Sequence, residues 1–173
     1  MTTKADVKKI DLPAATREGL TSHLQGLLYT QPNSPFLMLV IQIANLENFQ
    51  KRRPAHVVQG LFAEVGAALK AAIHPSQYVG RHQSGFAITL QSSDVGVVDV
   101  ISKKLAALVT YTIRRGKYND FRSHWTDIIY EFLHPNSPGI LFPRVGWSVY
   151  PRDGNTPMAL INRALFHLKE LAR

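Results

Sequence analysis

The sequence predicts an α/β sandwich, and three observations predict it. Residues 36–43 (FLMLVIQI) are a continuous apolar run with one glutamine, as expected of a central strand buried on both faces of a sheet. Residues 78–90 (YVGRHQSGFAITL) hold two β-rich runs, 78–80 and 86–90, around a polar gap that contains a glycine. That is the pattern of a β-hairpin, with a polar tip, 81–85, projecting from the sheet edge into solvent or a site. Between the two, Leu61, Val65, Ala68, Leu69 and Ile73 line one face of a helix over residues 54–73. Strand, helix, hairpin, helix is the order of an α/β sandwich.

The remaining elements follow from the same rules. Residues 1–10 are polar and lysine-rich, a tail before the domain. Asp11 and Pro13 read as the N-cap and first turn of a helix. Leu20, His23, Leu24, Leu27 and Leu28 recur in it at helical spacing, and residues 31–35 break it. A loop is expected at 44–49, and Lys51-Arg52-Arg53 as a solvated helix start. Further helices are expected over 95–111 and from 156 to the end, the latter with Leu160, Ala164, Leu165 and Leu168 inward. Residues 140–150 read as a strand, with Pro143 marking an edge or bulge, followed by a turn at 151–154. Residues 114–138 fit no simple template and mix arginines and a lysine with tyrosine, phenylalanine and tryptophan.

Composition bounds the function. A chain of 173 residues suits one domain with a full-sized core. No apolar run approaches the ~20 residues of a membrane span, and no signal-peptide layout opens the chain, so a cytoplasmic location is expected. With no cysteine, disulfides and thiolate metal sites are excluded. The seven histidines show no metal-ligand spacing, and Ser84-Gly85 lacks the Gly-x-Ser-x-Gly frame of a nucleophile elbow. The net charge of +8 favours an anionic partner.

The hairpin stretch resembles the central hairpin of the GGDEF (diguanylate cyclase) family. The family's frame there is Ala-Arg, one residue, Gly-Gly-Asp-Glu-Phe and an apolar strand. Arg81 and Phe86 match it, but the acidic tip has become His82-Gln83-Ser84-Gly85, one residue shorter. The resemblance extends to LMLVIQIANLENF, similar to the family's first strand and loop, and to YPRDGNTPMALINRALFHLK, similar to its Tyr-Pro, Asp-Gly turn and terminal helix. From Gln42 to Arg81 the spacing is the family's without a gap. The implied fold is a single nucleotidyl-cyclase-like domain over 11–173, a central mainly antiparallel sheet flanked by helices. Residues 114–138 stand outside as an atypical insertion.

The resemblance also implies what the family's chemistry requires: two Mg²⁺ ions held by carboxylates from the first strand's end and the hairpin tip, joining two GTP into cyclic di-GMP across a symmetric dimer. Gln42, Ser84 and Gly85 occupy those positions here, so no metal and no catalytic residue is expected. Gln50 and Gln59 stand at the guanine-reading positions. The product-inhibition Arg-x-x-Asp becomes His74-Pro75-Ser76-Gln77, with His74 and Gln77 at its ends. Lys169 matches the terminal-helix lysine that reaches the triphosphate, Arg173 lies a turn later, and the amides of Asn45, Leu46 and Glu47 remain able to cradle phosphate. Glu47 itself stands where the family has a lysine.

These residues imply a catalytically inactive GGDEF-like regulatory or dimerisation module in bacterial cyclic di-GMP signalling, with residual GTP binding and Mg²⁺ only if that binding survives. Its partners would be an EAL domain of the same chain, another protein, or a second copy. Phe121 and Trp125 are the docking candidates. Two alternatives remain: an active cyclase with unorthodox metal ligands, and a basic module for nucleic acid or protein on the same scaffold.

Overall fold

A computed structural model describes residues 17–92, 95–115 and 141–170. In chain order these form α1 (Arg17–Thr30), β1 (Phe36–Ala44), α2 (Leu46–Arg52), α3 (Ala55–Ala72), β2 (Tyr78–His82), β3 (Gly85–Leu90), α4 (Val95–Arg115), β4 (Phe142–Tyr150) and α5 (Pro157–Glu170). The four described strands make one antiparallel sheet in the order β2-β3-β1-β4. The order places β1 centrally, as its unbroken apolar run requires. It is the split β-α-β plan of ferredoxin-like folds, with helices on both faces.

The two faces of β1 divide the core. Leu37, Leu39, Ile41 and Ile43 point one way, into a cluster with α2, α3 and α4 (Leu46, Phe49, Leu61, Val65, Leu105, Val109). Phe36, Met38 and Val40 point the other way, against Leu20 and Leu24 of α1 and Leu160, Ile161 and Ala164 of α5. The period-2 alternation of a strand and the apolar character of both sets together explain why no polar residue interrupts the run before Gln42. Close packing reaches its limit where α5 crosses β4. A Cβ at Gly146 would lie 2.1 Å from the Ala164 carbonyl oxygen and 2.7 Å from Leu168 Cγ.

Several local expectations change. Residues 46–52 are a short helix rather than a loop, with Leu46 and Phe49 buried one turn apart. Lys51 and Arg52 therefore sit in the last turn of α2, where cations meet the negative end of the helix dipole, and Arg52 Nε donates to the Asn48 carbonyl. The hairpin loop is two residues, Gln83 and Ser84; Arg81 and His82 belong to β2 and Gly85 to β3. Helix α4 continues to Arg115, four residues past its expected end. The start of the first helix at Asp11 and Pro13, the tail 1–10 and most of 114–138 lie outside the described residues. No helix among the described residues is long and apolar enough to cross a membrane.

Candidate functional site

The end of the sheet nearest the hairpin tip brings together Gln42, Ser84 and Gly85, with Asn45, Leu46 and Glu47 following directly from β1. Register fixes this. Gln42 on β1 pairs with Gly85 on β3 and with Arg144 on β4, and Gly85 pairs with His82 on β2. Directly opposed residues of antiparallel strands share a face, so His82, Gly85, Gln42 and Arg144 form one cross-sheet row. The tip is bound to the end of β1 by the Ile43 amide, which donates to the Ser84 carbonyl at 3.1 Å.

Local conformation explains how the tip closes so tightly. Gln83 adopts φ 48°, and it alone of the two tip residues has positive φ. A positive φ confined to the first central residue is the pattern of a type II′ hairpin turn, whose twist matches that of the flanking strands. Gly85 then lies against β1 so closely that a Cβ there would be 1.7 Å from the Ile41 carbonyl oxygen. His82 is 2% exposed. Behind the hairpin, Arg81 is half-buried with its guanidinium 3.1 Å from the centroid of Phe62 on α3 and 5.8 Å from that of Phe86. Burial lowers its pKa from the ordinary arginine value, and the aromatic faces give the desolvated cation an electrostatic partner.

The loop after β1 begins at Asn45, left-handed at φ 62°, whose carbonyl accepts from the Phe49 amide to start α2. Leu46 is 5% exposed, so its side chain serves the core and leaves only its backbone to a ligand. Glu47, Gln50 and Gln59 are exposed on α2 and α3. Lys169 belongs to the last turn of α5; its side chain, Arg173, Phe121 and Trp125 are outside the described residues. His74 and Gln77 lie elsewhere: the turn they close precedes Tyr78, which is level with Thr89 and Met38 at the far end of the sheet. Four strand steps, roughly 13 Å, separate the two ends along β2.

The sequence reading missed Arg144 and His82 as members of the row. Arg144 is half-buried, with its guanidinium 5.2 Å from the ring centroid of Phe142. Its position was visible only as the residue after Pro143; its alignment with Gln42 is a matter of register. Across the row stand an imidazole, a glycine, a primary amide and a guanidinium. These supply hydrogen-bond donors and positive charge, and no anionic oxygen. The Mg²⁺ pair that the family's chemistry implies does not fit such a row, since a hard dication needs carboxylate oxygens and is repelled by a guanidinium. Among the described residues no cluster of three or more His, Asp or Glu could hold a metal ion.

No protein-family model matches the chain, and no curated protein matches it. Solved structures do. The fold they share is the α+β GGDEF-domain fold: the GGDEF domain of DgcB from Caulobacter crescentus, in complex with c-di-GMP, superposes with TM-score 0.69 at 13% identity, covering 100% of this chain and 92% of that one. The active GGEEF domain of a diguanylate cyclase from Vibrio cholerae gives TM-score 0.65 at 13% identity, covering 92% of each chain. Diguanylate cyclase SiaD from Pseudomonas aeruginosa, in complex with its activator SiaC, gives 0.64 at 13% identity over 91% of this chain and 54% of that one. The chain has the GGDEF-domain fold, as its resemblance implied.

Proposed function

We propose that this chain is a catalytically silent GGDEF-like domain that acts as a regulatory or dimerisation module in bacterial cyclic di-GMP signalling. The observation that carries the proposal is the row His82, Gly85, Gln42 and Arg144. Where cyclases need anionic oxygens for two metal ions, this row offers neutral and basic groups. Residual nucleotide binding, where it occurs, is directed at phosphate: Arg144 of the row, the amides of Asn45–Glu47, Lys169 and Arg173 all favour an anion. Gln50 and Gln59, both exposed and uncharged, give a purine base little discrimination. Partners in this reading are an EAL domain, another protein or a second copy, and Phe121 and Trp125 are the docking candidates. The SiaD–SiaC complex is a precedent, in another protein, for a fold of this kind engaging a protein activator.

The test is incubation with GTP and Mg²⁺ or Mn²⁺ followed by chromatography for cyclic di-GMP. No product is expected. Turnover abolished by Gln42→Ala or Glu47→Ala would establish the rival reading, a cyclase with unorthodox metal ligands. Equilibrium titration should show ATP and GTP binding about equally and weakly, with Lys169→Ala weakening both. A strong preference for GTP would contradict phosphate-directed binding.

A further inference from the structure

A concavity lies toward the opposite end of the sheet, between the C-terminal end of α3, the exit of β3 and the first half of α4. Its volume is about 640 Å³, within the range of roughly 300–1,000 Å³ usual for small-molecule sites. The floor is apolar: Leu90 and Leu105 are buried, and Ile73 and Ile101 are half-buried beside them. The rim is polar and holds His74, Gln77, Gln91 and Lys104. The cavity forms where Ile73 turns extended at the end of α3, beside the exit of β3 and the side of α4.

The rim chemistry selects the sign of a ligand. None of the described lining residues is acidic, and Lys104 pairs with no carboxylate among the described residues. Its neighbour Lys103 is already committed to Asp99 at 2.6 Å. His74 Nδ1 lies 2.8 Å from the Ser76 hydroxyl and accepts from the Ser76 amide at 3.3 Å, so the ring's N–H donor is Nε2. Gln91 donates one of its two side-chain amide N–H groups to Gln31 Oε1 at 3.1 Å.

We infer that this cavity binds a small amphipathic anion, an aliphatic or arylalkyl carboxylate whose apolar body lies on Leu90, Ile101 and Leu105 and whose carboxylate meets Lys104 and His74. The site is independent of the nucleotide reading above and stands whether or not that reading holds. His74 and Gln77 are also the positions at which the family resemblance puts a product-inhibition contact. A cyclic dinucleotide needs bidentate guanidinium and carboxylate partners there, and this apolar floor with one ammonium does not supply them.

The experiment is calorimetric titration of the full chain with decanoate, 1-decanol and cyclic di-GMP in parallel. Decanoate should bind saturably at one site, with decanol about tenfold weaker and cyclic di-GMP giving no saturable heat. Lys104→Glu should weaken decanoate at least tenfold and leave decanol unchanged. Val97→Trp, at a lining residue that is 36% exposed and so tolerant of bulk, should fill the mouth and remove both, with the circular dichroism spectrum and melting temperature retained. No saturable decanoate binding, binding unchanged in both variants, or cyclic di-GMP binding more tightly than decanoate would each overturn the assignment.

Discussion

His23 shows how a single side chain ties the helix layer to the sheet. Its ring stacks on Tyr78 with centroids 4.2 Å apart, and Nε2 lies 3.0 Å from the Thr89 hydroxyl. Burial lowers its pKa from the ordinary histidine value. The unfolded chain therefore binds the proton more readily, and this contribution to stability is complete above the unfolded pKa of about 6.5 and declines as pH falls toward the depressed value. Urea midpoints measured from pH 7.5 downward should begin to fall near 6.5, and His23→Gln should flatten that segment. Parallel curves for the two proteins would refute it. Gly146 is a residue-scale constraint of another kind. Gly146→Ala drives a methyl into the Ala164 carbonyl oxygen and should cost about 3 kcal/mol in chemical denaturation, at the upper end of ordinary overpacking.

At the scale of elements, α5 illustrates how sequence punctuation sets a boundary. Thr156 Oγ1 accepts from the Ala159 amide at 3.2 Å, the N-cap contact that opens the helix after the Pro151–Gly154 turn. Asp153 secures that turn by accepting from the Val149 amide and pairing with Arg152. Burial works to raise the Asp153 pKa, but the hydrogen bonds from Arg152 and Val149 and the charges of Arg152 and Arg163 outweigh it and hold the carboxyl below its ordinary value. Thr156→Ala should lose about 1 kcal/mol of stability, and Thr156→Ser should restore most of it.

These elements also mark what sequence can reveal. Strand β1 was legible as an unbroken apolar run of strand length, and the hairpin and helix α3 by their apolar spacing. Helix α2 was not, because seven residues give only Leu46 and Phe49 as a periodic pair. The cross-sheet row was illegible for a deeper reason. Arg144 and Gln42 are joined by register, and no local pattern records which residue of one strand faces which of another. The two-residue tip was misread because Arg81 and His82 are polar by composition, yet the first is half-buried on Phe62 and the second almost wholly enclosed.

For the whole molecule, the net charge of +8 and the basic row act in the same direction. Any nucleotide affinity should fall steeply with added salt, by an amount a titration between low and physiological ionic strength would read. Salt-insensitive binding would mean that base contacts, not phosphate, dominate. If residues 114–138 dock a partner, Phe121→Ala with Trp125→Ala should reduce association while the melting temperature holds. A large loss of melting temperature with association intact would make the segment part of the core.

The contact between Gly85 and β1 limits where a metal-binding acid can be introduced. A single codon change at the hairpin is the shortest route by which a carboxylate could be placed there. Here that route is closed: Gly85→Asp or Gly85→Glu would carry a Cβ to 1.7 Å from the Ile41 oxygen, so the strand pair would have to part before the carboxylate could serve any metal. The close approach of the tip to β1 thus bars an acid at that one position. Directed evolution toward cyclase activity from this chain should recover insertions in the 82–85 loop, or acids at Gln42 or Ser84, and never a lone acid at Gly85.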